Sequence, residues 1–576
     1  MASDLVSGWR SQGVPAAAKT AAGLRASAAA IVARAGAAPE HIGWTMVTVV
    51  SEYWRDRLGT ASNGRRLLLL PDCPAADSVV EADAAADSMP RICGPGCGIG
   101  TIWAAARDSG WVVEATARAV PAMGGLLTGQ YDGILGVAKL EHLEKAFAML
   151  PAFSLPIAAV PFAPPSAGVA VSGTCGEALA SAAIDVEWVL GLLGVGGGAS
   201  APMGDYLPLL REAADLFSRD SLQSLETRLQ MPGAFGPTVG PQPEQSFDPL
   251  EATAGISGEF LTRGGKFLRP FIALAAYDAV VADRAASVDG AAREAVKAAA
   301  VAIEIFHKSS LVHDDIEDDD RMRYGRPTLH VERGVASAIN AGDYLLGLGY
   351  RMIIGLAGVD PTTQRDLVAI LSEAHVRLAR GQGAELWWRD AGDKRLLPEA
   401  SLEIYGLKTS PAFEAAIAMG IRLAGVQPES AAAVGRYSLH VGTGFQVLND
   451  LKDWAGDVEN DRDVAGDLLG GRPTLMWALA LSRLPPDAID HLVGLASRAA
   501  AAEASAADVA AAIGEARRLY MQADVFARAA AIVDDQRRQA LAALASCRLG
   551  RLREVLEFLL DLAVPEQAAA QFTPAN

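Results

Sequence analysis

The sequence predicts a multidomain protein, an α/β unit over residues 1–198 followed by an all-helical unit over residues 199–576. Three observations carry this. The 576 residues exceed what one hydrophobic core usually organises. The first half alternates short apolar runs with Ala-rich segments of helical length, and the second half keeps a helical spacing of apolar residues almost throughout.

In the first half, Leu67 to Leu70, Trp111 to Ala117, Gly133 to Ala138 and Ile157 to Phe162 are the expected strands. Their alternation with helices predicts a parallel sheet with crossover connections. The flexible, uncharged run from Gly194 to Pro202 is the expected linker, with the boundary near residue 199. One amphipathic helix is expected from about Asp205 to Met231, then a Gly/Pro-rich loop from Pro232 to Pro249. Helical patterning resumes at Glu251 and runs to about Ala563, with no strand pattern and no solenoid repeat.

Composition narrows the function. With 51% hydrophobic and 20% charged residues the chain reads as folded rather than disordered. The net charge of -18 argues against a nucleic-acid or anionic-lipid partner, since both need clustered Lys and Arg, so an anionic ligand must be held locally. The first residues lack a basic region with an apolar stretch, and no run of about 18 apolar residues is uninterrupted. A cytoplasmic protein without a transmembrane segment is expected.

The densest chemistry is Leu311-Val-His-Asp-Asp-Ile-Glu-Asp-Asp-Asp-Arg-Met-Arg-Tyr-Gly-Arg-Pro-Thr328, which closes an apolar helix beginning near Ala292. Asp314 and Asp318 are four apart and share one helical face, with Asp315 beside them. Carboxylates this close repel one another unless a cation lies between them, and hard oxygen ligands favour Mg²⁺, which bridges readily to phosphate. A second acidic set closes another apolar helix at Phe445-Gln-Val-Leu-Asn-Asp-Leu-Lys-Asp-Trp-Ala-Gly-Asp457, where Asn449 and Asp453 form a further i, i+4 pair and Asp457 adds a turn. An isolated acidic run is ordinarily a solvated helix end. Two such helix ends facing each other across a bundle would clamp a diphosphate through several metal ions.

These segments together resemble the trans-isoprenyl diphosphate synthase, or polyprenyl synthetase, family over about residues 205 to 565. The matching segments, in order, are Gly264-Gly-Lys-Phe-Leu-Arg-Pro270, Asp314-Asp-Ile-Glu-Asp318, Gly381-Gln382, Gly406-Leu-Lys-Thr409, Phe445-Gln446 with Asn449 to Asp453, and Gly471-Arg-Pro-Thr474. The resemblance implies an isoprenoid-synthase-type helical bundle and a homodimer. It also implies three Mg²⁺ ions with diphosphate bound, held by Asp314, Asp315, Asp318, Asn449, Asp450 and Asp453. Arg323, Lys408 and Arg472 would offset the remaining charge of an allylic prenyl diphosphate, with Thr409 and Gln446 also in the allylic site. Lys266, Arg269 and His307 match the isopentenyl diphosphate site. The resemblance implies catalytic roles for Asp314, Asp315, Asp318, Arg323, Lys408, Gln446, Asp450 and Asp453. Ser309 and Ser310 stand where an aromatic residue closes the pocket in short-product members, so Phe306 is the expected floor for a product of about C20 or more.

Three positions depart from the family pattern. Tyr324 stands where a second consecutive arginine is usual, Asn449 where an Asp is usual, and Gly466 where a Lys is common. A phenol supplies neither a permanent charge nor a bidentate fork. Two alternatives to chain elongation therefore stay open: a terpene-synthase-like enzyme that ionises and cyclises a prenyl diphosphate, and a non-catalytic regulatory subunit that binds one. His313 reads as structural.

In the first half, Cys73, Cys93, Cys97 and Cys175 are enough for a zinc or iron–sulfur site. The C-x3-C spacing and the lack of a second close pair favour scattered reduced thiols instead. Residues 40 to 195 resemble a prokaryotic family of unknown function with cysteine motifs, which implies a docking or regulatory module with a degenerate metal site.

Overall fold

A computed structural model describes residues 2–60, 65–73, 89–92, 98–162, 184–193, 205–236, 248–284, 290–392, 394–426, 431–454, 464–469, 472–499, 505–566 and 568–571. The chain divides into two compact units, Met1–Arg211 and Glu212–Asn576. The boundary suggested by the sequence, near residue 199, lies outside the described residues, as do Cys93, Cys97, Cys175 and Asp457.

The first unit holds a four-stranded parallel sheet of β1 (Arg66–Leu70), β2 (Val112–Ala115), β3 (Gly133–Lys139) and β4 (Ile157–Phe162), in the order β2-β1-β3-β4. Each strand coincides with one of the expected apolar runs, β1 beginning one residue earlier at Arg66 and β3 ending one residue later at Lys139. The fully buried β1 pairs Leu67 with Val112 on one side and Arg66 with Gly133 on the other. A strand covered on both faces must be apolar at successive positions, which is why Leu67 to Leu70 show no alternation. Helix α1 (Ile42–Thr60) packs on β4, where Ser51 Oγ donates to Ala159 O at 2.7 Å and accepts from Ala159 N at 2.9 Å. That hydroxyl satisfies backbone groups on a strand that, among the described residues, has no second neighbour. Cys73 follows β1 and is buried.

The second unit is helical. Helix α2 (Ala252–Thr262) leads into α3 (Leu268–Asp283), where almost every residue from Pro270 to Val281 is buried. Such all-round apolarity marks a central helix. Against it pack α4 (Gly290–Glu317) and α7 (Pro398–Leu423), while α5 (Val335–Ile354) lies on α4, and α6 (Pro361–Asp390) and α8 (Ala431–Asp453) lie on α7. The bundle continues with α9 (Leu475–Leu481), α10 (Ala506–Gln522), on which the helix Pro486–Ala499 packs, α11 (Val525–Leu544) and α12 (Gly550–Ala563). Phe271 of α3 meets Phe558 of α12 edge-on at 5.7 Å.

Two expectations are corrected. The single helix expected from Asp205 to Met231 is two, Leu207–Asp215 and Arg219–Arg228, because Ser218 adopts an extended conformation and its side chain accepts from Ser221 N as an N-cap. The absence of strands from the second half also fails. Met322–Arg323 and Arg326–Pro327 form a small antiparallel hairpin across a two-residue turn with φ of 54° at Tyr324 and 69° at Gly325. Positive φ at both central positions is what such a tight hairpin turn requires. Its strands are too short to leave a period in the sequence.

Candidate active site

The facing C-terminal ends of α4 and α8 border a cavity of about 620 Å³. From α4 it is lined by Phe306, His307, Ser309, Ser310, Asp314 and Asp318, and from α8 by Gln446, Asn449, Asp450 and Asp453. Arg269, Arg323, Lys408, Thr409 and Arg472 complete most of the expected set.

Helix α4 stops just beyond its carboxylates because Asp319 turns to a left-handed φ of 53°, while Asp318 N still bonds Asp314 O. The chain then folds back so that Arg323 Nε donates to Asp315 Oδ1 at 2.5 Å. Asp315 is 1% exposed and turned away from the cavity wall, and its Oδ2 is buried without a hydrogen-bond partner. The structure therefore places Asp315 as the anchor of Arg323. Burial pushes the Asp314 carboxyl up to about 7, with Lys408 opposing the shift and Asp318 and Glu317 adding to it.

On the opposite wall, Asp450 accepts from Tyr405 Oη at 2.7 Å, and that hydroxyl accepts from Leu475 N at 2.9 Å. Burial, reinforced by Asp467, raises the Asp450 carboxyl well above the ordinary range. Gln446 Nε2 donates to Thr409 Oγ1 at 2.6 Å.

The Gly381-Gln382 signature has a packing cause. A Cβ on Gly381 would lie 2.5 Å from Lys408 N, so only glycine lets α6 approach α7 this closely. One turn further along α6, Glu385 Oε1 then accepts from Lys408 Nζ at 2.7 Å. Burial pulls this ammonium down, but Glu385 and Asp314 more than offset it and keep it charged. Gln382 Nε2 holds Glu317 Oε2 at 2.8 Å, and Arg389 Nη1 donates to Glu317 O at 2.6 Å. Arg472 Nη2 donates to Asp318 O at 2.7 Å and approaches Asp320 Oδ1 at 3.4 Å.

Lys266 is exposed and lies off the cavity wall, whereas its neighbours in the motif, Arg269 and His307, are on it. Burial, with Arg269 and Lys308 beside it, holds the His307 imidazole well below its ordinary range and keeps it neutral. His313, read as structural, lines the cavity and lies 3.4 Å from Asp343. Phe306 is 3% exposed and meets His375 edge-on at 5.3 Å. Ser309 Oγ is turned to Gly342 O at 2.7 Å. Glu385, Tyr405 and Lys308 escaped the sequence reading; Gly381, one turn from Glu385, was the single local signal for any of them.

The wall carries eight acidic side chains against five Lys or Arg, so cations arriving with a diphosphate would offset the excess of acids. Among the described residues no group of three or more His, Cys, Asp or Glu side chains is gathered so as to hold a metal ion by itself. A donor set of hard carboxylate oxygens that is incomplete without ligand oxygens fits Mg²⁺, which is commonly held by one or two carboxylates plus substrate phosphates.

A helical bundle with carboxylates on two facing helix ends, around a cavity that also carries cations and apolar side chains, defines an isoprenoid-synthase-type protein. The polyprenyl synthetase family model matches residues 252–513. A short chain isoprenyl diphosphate synthase of Methanothermobacter thermautotrophicus is 31% identical over 246 residues, 42% of this chain and 72% of that one. The octaprenyl diphosphate synthase of Escherichia coli is 31% identical over 225 residues, 39% of this chain and 64% of its own length, just under two thirds. A crystal structure of a geranylgeranyl pyrophosphate synthase shares the fold at a TM-score of 0.50 and 20% identity, over 63% of this chain and 98% of that chain. The chain belongs to the polyprenyl synthetase family.

Proposed function

We propose that this chain is a Mg²⁺-dependent prenyltransferase that condenses an allylic prenyl diphosphate with isopentenyl diphosphate to give a longer prenyl diphosphate. The observation that carries this is the pair of carboxylate-bearing helix ends facing each other across one cavity, with Arg269, Arg323 and the neutral His307 on the same wall.

Asp314, Asp318, Asn449, Asp450 and Asp453 would hold the metal ions, with Asp315 acting through Arg323. When bound, Mg²⁺ neutralises the allylic diphosphate so that it becomes a leaving group. Lys408, Arg323 and Arg472 orient the phosphates and take up charge as the allylic C–O bond breaks and its electron pair leaves with diphosphate. The isopentenyl double bond then attacks the allylic carbon to form a C–C bond, and the resulting cation loses a proton to the departing diphosphate. The wall of Phe306, Leu311, Leu346 and Phe445 keeps water from the cation. The resting Glu385–Lys408 pair fixes the Lys408 rotamer in advance.

A homodimer is part of this reading, supported by exposed apolar residues on neighbouring helices. Val335 and Ile339 lie one turn apart on α5, and Trp387 of α6 is 82% exposed. Sedimentation of Trp387→Glu beside the wild type tests it; an unchanged wild-type dimer would rule Trp387 out of the interface.

Asn449 and Tyr324 favour a second reading, ionisation and cyclisation of a ready-made prenyl diphosphate. Purified protein with Mg²⁺ and geranyl, farnesyl or geranylgeranyl diphosphate, with and without labelled isopentenyl diphosphate, separates the two. Label in a longer diphosphate is the expected result, and hydrocarbon or alcohol released without isopentenyl diphosphate would establish the cyclising reading.

A further inference from the structure

Lys308 of α4 is 0% exposed, although it follows His307 on the helix beside the cationic cluster. Its Nζ donates to Gly264 O and lies 4.8 Å from the ring of Tyr324, 5.4 Å from Phe267 and 5.5 Å from Phe260. Among the described residues no carboxylate stands within ion-pair distance of it, and the charge that opposes its desolvation is Glu304, one turn earlier. An ammonium so enclosed costs folding free energy that an apolar side chain of the same length would not. Its burial without an ion pair points to a task that needs the charge.

The surroundings say where that task lies. Gly264 and Gly265 have φ of 118° and 129°, and a Cβ on Gly265 would sit 3.5 Å from Tyr324 Oη and 3.8 Å from Lys308 Nζ. The two glycines therefore drape over the Lys308–Tyr324 pair, directly before Lys266. Tyr324 is held at φ 54°, a conformation costly for a bulky residue, with its ring against the ammonium. A guanidinium on residue 324 would have to share that space with Lys308, and two cations at such a distance repel strongly away from water.

Resting on the elongating reading, we propose that Lys308 supplies the positive charge missing at position 324 and is a positioning residue for isopentenyl diphosphate, acting through the Gly264–Lys266 loop. The cation has moved from the hairpin to the helix. Lys308 and Tyr324 then form an exchangeable pair, and an arginine at 324 helps only when the lysine is gone.

The test is a cycle of K308M, Y324R and K308M/Y324R in the full chain. It is read by KM for each substrate and by calorimetric titration with isopentenyl diphosphate. K308M is expected to raise KM for isopentenyl diphosphate about ten- to hundredfold, with that of the allylic diphosphate unchanged, the scale of one charge-assisted contact. Y324R alone should weaken isopentenyl diphosphate binding, and the double variant should recover most of the loss. K308Q, which keeps a donor for Gly264 without the charge, should lose as much as K308M, and circular dichroism melting shows that each variant folds. An unchanged KM in K308M, a parallel rise for both substrates, or a double variant no better than K308M would each overturn the proposal and leave elongation by the wild type standing. A wild type that binds isopentenyl diphosphate without elongating it would remove the elongating reading, while the calorimetric cycle still decides Lys308. A wild type that neither binds nor elongates it would remove both.

Discussion

Phe306→Ala is the most direct probe of how the cavity sets product length. Phe306 sits two helical turns before Asp314 on α4, which puts its ring about 12 Å along the axis from the carboxylates. Ser309 and Ser310 between them leave the wall open, and the residues one turn below are the buried Ala302 and Ile303. Truncating the ring should therefore move the floor down by about one turn, 5.4 Å. An extended chain advances roughly 1.2 Å per bond, so that depth takes about one isoprene unit of four bonds. Phe306 is 3% exposed and carries the edge-on contact to His375, so its loss should also cost about 3 kcal/mol, the low end for Phe→Ala because one face already borders the cavity. Mass spectrometry of the products at saturating isopentenyl diphosphate should show the main diphosphate lengthened by at least one C5 unit. Thermal melting should show a loss of stability that a long-chain prenyl diphosphate partly restores. A product profile identical to wild type in a variant that melts lower would remove Phe306 from the floor.

Asp315→Asn should leave the Arg323 guanidinium mostly buried beside an uncharged partner, costing about 3–5 kcal/mol by chemical denaturation and lowering kcat more than either KM. Stability unchanged within the error of the melts would refute the anchoring role. Tyr405→Phe removes the donor to Asp450 and strands Leu475 N, for a cost of about 2–4 kcal/mol. Because the Tyr405 bond lowers the Asp450 pKa, its loss should move the acid limb of the kcat profile to higher pH; a limb that stays put would separate Asp450 from that titration. Burial, with Arg263 and Arg323 adding and Glu304 opposing, pulls Lys308 down from 10.5 to about 8, with the Tyr324 ring also facing its pocket. It is charged below that value and neutral above it, so KM for isopentenyl diphosphate should climb above pH 8 in the wild type and stay flat in K308M. Between 8 and 10.5 the folded form holds fewer protons than the unfolded one, so this group makes stability rise with pH across that window. Melting curves that fall equally for wild type and K308M there would contradict the assignment.

The site was legible in the sequence where its chemistry is local to one helix. Asp314 with Asp318 and Asn449 with Asp453 announce themselves because an i, i+4 spacing puts both members on one face, and each pair closes an apolar helix. What stayed hidden depends on partners distant in the chain. Glu385 lies alone on a long, mostly polar helix, and only the close approach at Gly381 joins it to Lys408. Lys308 reads as an ordinary surface lysine until Phe260, Phe267 and Tyr324, from three separate segments, enclose it. Asp315 and Lys266 show the converse: they match the motif, yet the helix rotation turns one inward to Arg323 and the loop leaves the other exposed. In the first unit the four strands were visible as apolar runs. Their order was not, because placing β3 beside β1 rather than β2 depends on nonlocal pairing.

The site is held together by its own opposite charges, and this explains how carboxylates and cations coexist on one cavity wall. Lys408 is paired with Glu385, Arg323 with Asp315, and Arg472 with Asp320 and the Asp318 carbonyl, so none of these cations depends on phosphate for its position. Asp314 and Asp450, by contrast, are pushed toward their protonated forms by burial, with Lys408 opposing this at Asp314 and Tyr405 at Asp450. On the proposed reading, metal binding would have to displace those protons, so affinity for the ion would rise with pH and with the phosphate oxygens that share it. Asn449 fits the same logic: beside Asp450 and Asp453, an amide oxygen can still reach a metal without adding another charge to a wall that already strains to keep its acids ionised. The altered second motif is therefore consistent with an active site in which ligand and metal arrive together, rather than one that has lost its chemistry.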